Sequence, residues 1–262
     1  MMVGVVFALL LLLAAAPARA QAMQACADQA EMPPFTFAER VGGRRTERVT
    51  GASVDLLKKI GAAHGWDINV VLLPWARCLA WVAENRAQFA INIGKAEAQA
   101  QGDALLLSKP YYTLHNMYFF SRQTHPQGLA LRSLADLRRY HLCGLGGYRF
   151  EAFGVDTRDV DRGATAGYAQ LIAKLHLGRC DLFIDSRETV AGMYLIDPTL
   201  RRMLVDGKLL SRPLPGSPQH ALYFSVSAKA PGAPFLLKQL NEGLERMEKT
   251  RELDKLLGGY LE

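Results

Sequence analysis

The stretch SVDLLKKIGAAHGWDINVVLLPWARCLAWVAENRAQFAINI, from Ser53 to Ile93, alternates between two hydrophobic periods. Val54, Leu57, Ile60 and Ala63 recur at helical spacing. Asp55 stands in the first turn, where a carboxylate offsets the helix dipole, and Gly65 stops the segment, so the pattern predicts a helix over 53–64. Ile68 to Leu73 is a run of apolar residues around Asn69 and reads as a strand, ended by Pro74-Trp75. Ala76 to Glu84 then reads as a helix and Phe89 to Ile93 as a short buried strand. Strand, helix and strand in units of roughly 25–30 residues argue an α/β sheet with parallel strands.

Upstream, residues 24–27 begin a strand that ends in Pro33-Pro34-Phe35-Thr36-Phe37. Downstream the idiom repeats, with a strand at Tyr140 to Leu145, a Gly-rich turn, a helix near Tyr168 to Leu177 and a strand at Cys180 to Ile184. Asn116 to Ser121 and Ala221 to Ser227 are strand-like as well, and two connecting strands predict a hinge crossed twice. From Pro234 to Leu261, Phe235, Leu240, Leu244, Met247, Leu256 and Leu257 fall at near-helical intervals, so the tail is expected to pack back on the first half. Open α/β sheets bind ligands at the carboxyl ends of their strands, which here means between the halves.

Met1 to Ala16 is almost wholly apolar, Pro17 breaks the run, and Ala18-Arg19-Ala20 supplies an A-x-A cleavage site, so residues 1–20 read as a secretory signal peptide and the destination as the periplasm. No Lys or Arg precedes the apolar run. The remainder is long enough for one large or two ordinary domains, each with its own core. The formal charge of +6 falls by one when Arg19 leaves; export argues against a nucleic-acid partner, and the densest basic cluster, Arg40 to Arg48, reads as a solvated loop. In an oxidising compartment Cys26, Cys78, Cys143 and Cys180 are expected in disulfides, and four cysteines allow three pairings. If residues 22–115 and 120–220 form separate lobes, Cys26 with Cys78 and Cys143 with Cys180 are the pairs that stay within a lobe.

Several chemistries have no local support. Gly144-Leu-Gly146-Gly-Tyr-Arg149 puts Arg where a dinucleotide loop needs its third Gly. The six histidines, at 64, 115, 125, 141, 176 and 220, form no metal-ligand spacing, and Ser53, Ser108 and Ser186 lack the glycines of a nucleophile elbow. No catalytic residue, metal or cofactor is expected.

Four motifs follow in order: Gly51-Ala-Ser-Val-Asp55-Leu, Pro74-Trp75-Ala-Arg77-Cys78-Leu, Leu107-Ser108-Lys-Pro110-Tyr111-Tyr112, and Gly178-Arg-Cys-Asp181-Leu-Phe-Ile-Asp185. The set resembles the successive signatures of bacterial extracellular solute-binding proteins of family 3, the polar amino-acid type receptors of ABC importers. The resemblance implies the two-lobed type II periplasmic binding protein fold, α/β, with the lobes joined by two hinge strands. Lobe 1 is expected to comprise residues 21–117 and 222–262, and lobe 2 residues 118–221. It also implies a monomer that traps a small polar solute, an amino acid or related compound, between the lobes and presents it to a membrane ABC permease or a sensory receptor.

Carried over by position, the resemblance implies that Phe35 stacks on the ligand, Trp75 lines the first-lobe wall, and Asn92, Gly94 and Lys95 face the ligand head group. Asp185 is implied to accept an ammonium. The turn from Gly144 to Tyr148 is implied to offer backbone N–H groups to an anion. Gln101 stands where amino-acid receptors carry a carboxylate-clamping Arg, and a neutral amide binds carboxylate more weakly, which leaves a cationic or polar neutral solute open. Asn85 to Ala90 also departs from the family, which has Gly and Asp there. The fold is shared by a periplasmic enzyme, cyclohexadienyl dehydratase, for which Glu188 and His115 are the acid–base candidates in this chain.

Overall fold

The computed structural model describes residues 20–148, 150–163 and 165–261, so the expected signal segment lies outside the described residues except for Ala20. The first run of chain supplies β1 (Gln21–Asp28), β2 (Phe37–Val41), β3 (Arg44–Thr50), α1 (Ala52–Ala62), β4 (Trp66–Leu73), α2 (Trp75–Ala83), β5 (Phe89–Ile93), α3 (Lys95–Ala100), β6 (Leu105–Leu107) and β7 (Tyr112–Leu114). The second supplies β8 (Asn116–Ser121), β9 (Leu142–Cys143), α4 (Tyr168–His176), β10 (Leu182–Ser186), α5 (Arg187–Gly192), α6 (Leu200–Val205) and β11 (Leu209–Pro213). The chain then returns through β12 (His220–Ser227) and ends in α7 (Ala233–Lys249) and α8 (Glu252–Leu261).

Two larger sheets result. One has the order β4-β1-β5-β12-β6, with β7 also paired to β12; the other has the order β11-β8-β10-β9. Strands β4, β1 and β5 are mutually parallel, as are β9 and β10, which matches the expected idiom. β12 runs antiparallel to β5 because it brings the chain back from the second sheet, and β8 is antiparallel to both its neighbours. Each sheet buries its own apolar side chains. Leu57, Ile60, Phe89 and Leu240 belong to the first core, whereas Phe120, Phe153 and Leu182 belong to a second, and no described apolar cluster mixes the two. Burying a side chain such as Leu57 or Ile60 stabilises by about 1.5–3 kcal/mol.

The tail packs back on the first sheet through Leu240, Leu244, Met247, Leu256 and Leu257, as two helices separated at Arg251, whose φ is 56°; Phe235, expected in that set, is instead exposed. α7 approaches α1 so closely at Gly243 that an added Cβ would lie 2.5 Å from Ile60. Cys26 of β1 is bonded to Cys78 of α2, and Cys143 of β9 to Cys180, with Cα–Cα distances of 5.7 and 5.9 Å. In the chain-entropy account each closure stabilises by about 4 kcal/mol.

Three expectations are corrected. Asn116 to Ser121 is not a connecting strand: β8 lies between β10 and β11, sending Tyr118 and Phe120 into one core and Phe119 into the other, where it stacks on Phe183. Apolar residues on both faces need cover on both faces, which a spanning connector does not receive. Ala221 to Ser227 is likewise interior to the first sheet. The crossings are shorter, one at His115 and one between Leu214 and His220, where Leu214 donates to the Asn116 carbonyl at 2.9 Å and His220 pairs with Leu114. Second, residues 40–48 form much of the β2–β3 hairpin and not a free loop: Arg40 makes a two-pronged bridge to Glu31, 2.8 Å on each arm, and Arg48 bonds Glu39 at 3.2 Å. Third, the strand expected over 140–145 is only Leu142–Cys143.

The two halves also touch away from the crossings. Gly192, at the end of α5, lies against Pro33-Pro34, where an added Cβ would be 2.6 Å from the Pro34 nitrogen, and the Tyr194 hydroxyl donates to the Tyr260 carbonyl at 2.9 Å.

Candidate functional site

In the first sheet the order reverses about β1, so the carboxyl ends of β1 and β5 frame a crevice. Asn92, near the end of β5, has a φ of 63°, a left-handed conformation that Asn tolerates better than most residues. Its side chain is committed to the first half. Oδ1 accepts from Ser53 and from the Tyr111 hydroxyl, each at 2.7 Å, and Nδ2 donates to Thr36 at 2.9 Å. Asn92 therefore locks the start of α1 and the segment before β7 onto β5.

Gly94 precedes α3, and Glu97, in its first turn, folds back over it. One carboxylate oxygen accepts the Gly94 N–H at 3.1 Å and the other accepts the Trp75 indole N–H at 3.2 Å. This is half of a capping box, in which a third-position Glu satisfies a donor that the helix leaves unpaired. Trp75 is half-buried and joins the smaller first-sheet cluster around the Cys26–Cys78 bond, with its polar edge turned to Glu97. Lys95 is exposed, Gln101 is half-buried at the end of α3, and neither side chain has a hydrogen-bond or ion-pair partner among the described residues. Glu97 is near the returning crossing, because burial holds the His220 imidazole below its usual range while the Glu97 charge opposes that shift.

The corresponding end in the second sheet is built on β10. Asp185 is 3% exposed. It accepts the Tyr148 hydroxyl at 3.2 Å, the Tyr168 hydroxyl, and the Ser186 N–H at 2.7 Å. Burial pushes its carboxyl up to about 6, with the Tyr168, Ser186 and Tyr148 donors acting against the shift. Burial, and then the Asp185 charge, raises both phenols. Ser186 caps α5, accepting the Thr189 N–H at 3.2 Å.

Glu188, in the first turn of α5, is a clamp on the outgoing crossing. Its carboxylate accepts the His115 N–H at 3.0 Å, meets the His115 Nδ1 at 2.7 Å and the Arg187 guanidinium at 3.2 Å, while the Arg187 N–H donates to the His115 carbonyl at 2.9 Å. The pair considered for acid–base work thus holds the chain where it passes between sheets.

Phe35 differs from its expected role. It is fully buried, its ring 5.2 Å from that of Tyr112, because the turn at Pro33-Pro34, closed by the Met32–Thr36 bridge, directs it into the first core and away from solvent. The turn from Gly144 to Tyr148 also differs, since the N–H groups of Gly144, Gly146 and Tyr148 donate to the carbonyls of Asp161, Thr165 and Leu145. Sequence reasoning did not identify Glu97, although Gly94 with Glu three residues on is the spacing of a capping box. Nothing local marked Tyr168 as a partner of Asp185. Two concavities, about 590 Å³ beside Leu134 and Asp159 and about 640 Å³ between β3 and β4, lie apart from these residues. His141, Cys143 and Asp161 lie together, but the Cys143 sulfur is bonded to Cys180 and the His141 ring is bound to Asp161 at 3.0 Å, so no metal set is free there.

The sequence profile of the bacterial extracellular solute-binding proteins, family 3, matches residues 25–262. No curated protein matches the chain in sequence. Among solved structures, the chain is similar to an amino acid ABC transporter substrate-binding protein of Streptococcus pneumoniae bound to L-arginine, at 17% identity and TM-score 0.65, covering 92% of this chain and 94% of that one. It is similar to a histidine kinase sensor domain that resembles periplasmic binding proteins, at 19% identity and TM-score 0.62, over 93% and 97% of the chains. It is also similar to an ancestral amino-acid-binding protein described as a precursor of cyclohexadienyl dehydratase, at 16% identity and TM-score 0.63, over 92% and 96%. At these identities the likeness is one of fold, the type II periplasmic binding protein fold. Among the described residues no helix is long and apolar enough to cross a membrane.

Proposed function

Because this chain belongs to the bacterial extracellular solute-binding proteins of family 3, we propose that it is an exported periplasmic receptor that closes around one small polar solute and presents it to a membrane ABC importer. The lobes would comprise residues 21–117 with 222–262, and 118–221, working as a monomer. One observation carries the reading. Both crossings lie beside carboxylates, α3 with its Glu97 packing against β12, which begins at His220, and Glu188 being bound to His115, an arrangement that supports strand ends meeting across a double hinge. In that arrangement Trp75, Gly94, Lys95 and Gln101 form the first wall and Tyr148 with Asp185 the second. A solute touching both walls favours the closed form by its differential affinity, and the closed shape is what a membrane partner reads.

A relative that leads to a dehydratase keeps an enzyme reading in view, but His115 and Glu188 are closed on one another and on Arg187, which favours binding over turnover. A sensor domain of like fold offers a second route for the signal, through a receptor kinase in place of a permease.

The test is thermal unfolding of the purified protein against amino acids, amines, sugars and organic acids, with each stabilising solute recovered and analysed. A ligand at a hundredfold excess over Kd adds about 2.7 kcal/mol to stability. A saturable shift with the solute intact supports the proposal. Consumption of the solute replaces it with the enzyme reading, and no shift with any class of solute defeats it.

A further inference from the structure

Resting on the reading that a solute is held between the sheets, we infer that its class is an organic amine cation without a carboxylate, such as a diamine or a guanidinoalkylamine. We further infer that Glu97 is the specificity residue that turns α-amino acids away. The first ground is that several donors a carboxylate would use are taken by the chain itself. The Gly94 N–H and the Trp75 indole N–H both donate to Glu97. On the facing turn, the N–H groups of Gly144, Gly146 and Tyr148 donate to backbone carbonyls. Glu97 is in effect a tethered carboxylate seated on the first wall. A free carboxylate arriving there has to displace it and remain beside it, and two like charges in one site disfavour each other.

The second ground is the sign of the charge at the two ends. α3, which carries Glu97, packs against β12 of the first sheet, and β10 carries Asp185 at its end in the second. An ammonium carries three donors and no acceptor, so it complements either carboxylate, where a second carboxylate complements neither. The nearby cations do not reverse this. Arg187 is committed to Glu188 and His115, and Lys95 is exposed, a hydrated point charge without the planar fork that clamps carboxylate.

The test is calorimetric titration of the purified protein with two matched pairs, agmatine against L-arginine and cadaverine against L-lysine, whose members differ only in the α-carboxylate. The amine is expected to bind at least about tenfold more tightly within one pair, the scale of one charge–charge contact. In Glu97→Gln, which keeps an oxygen for the Gly94 N–H while removing the charge, that ratio is expected to fall at least about fivefold. Glu97→Asp, read beside it with far-UV circular dichroism on both variants, is expected to keep most of the preference. Equal or tighter binding of the amino acid in both pairs overturns the inference, and so does a preference that Glu97→Gln leaves unchanged. If neither pair binds while a sugar or organic acid does, the solute class is wrong and the receptor reading stands; if no solute of any class binds, both fail.

Discussion

Two carboxylates stand at the strand ends of the two sheets, and their surroundings are opposite. Glu97 is exposed and held by two neutral donors from its own neighbourhood, the Gly94 N–H and the Trp75 indole. Asp185 is buried, and burial pushes its carboxyl up to about 6 against the opposing phenol donors of Tyr148 and Tyr168. An exposed acid keeps its charge at little desolvation cost and meets a hydrated cation early. A buried acid pays for its charge in lost hydration and regains it only when a cation arrives. On the proposed reading the first end selects the solute and the second end supplies the binding strength on closure.

The sharpest way to separate the two ends is pH. The folded carboxyl of Asp185, at about 6 against an ordinary 3.8, binds its proton more tightly than the unfolded chain does. Its contribution to stability is therefore fully present below about pH 4, is lost as pH rises through 6, and amounts to about 3 kcal/mol. Asp185→Asn cannot titrate, so the stability difference between wild type and variant, from urea unfolding at pH 3.5 to 7.5, is expected to fall by about that amount; a flat difference would show that Asp185 is hydrated in solution.

Next in size is the effect on binding. Asp185→Ala is expected to weaken a cationic solute at least about tenfold, about 1.4 kcal/mol, by calorimetry at pH 7.5. Unchanged affinity removes Asp185 from the site and leaves Glu97 as the only anionic wall of the two. The smallest effect tests whether the ends must meet at all. Gly192→Ala places a methyl 2.6 Å from the Pro34 nitrogen, where the halves touch, and is expected to weaken closure by about 1 kcal/mol. Small-angle scattering should then give a larger radius of gyration with ligand than wild type shows. The same radius would mean that the Pro33-Pro34 segment yields without parting the halves.

Much of the frame was legible because it is written in local periodicity. The 3.6-residue stripe of Val54, Leu57 and Ile60 became the buried face of α1, the run at Phe89 to Ile93 became a central strand, and the spacing of Leu240 to Leu257 became two helices over the first core. The cysteine pairs that stay within a half are the pairs observed. Phe35 and Asn116 to Ser121 were harder, because apolarity alone does not say whether a residue faces a ligand, a hinge or a core.

The sequence by itself determined the alternation of strand and helix from α1 to β5, the double passage between two α/β halves and the polar residues that end β5 and β10, since each depends on residues a few positions apart. Only the tertiary structure decided what those polar residues are. The Asn92 side chain is spent on residues 36, 53 and 111, and burial pushes the Asp185 carboxyl up to about 6 even though phenols from residues 148 and 168 donate to it. Burial and partnership of a polar group are set by neighbours far along the chain, so the charge state and availability of the site emerge only when the sheets have formed.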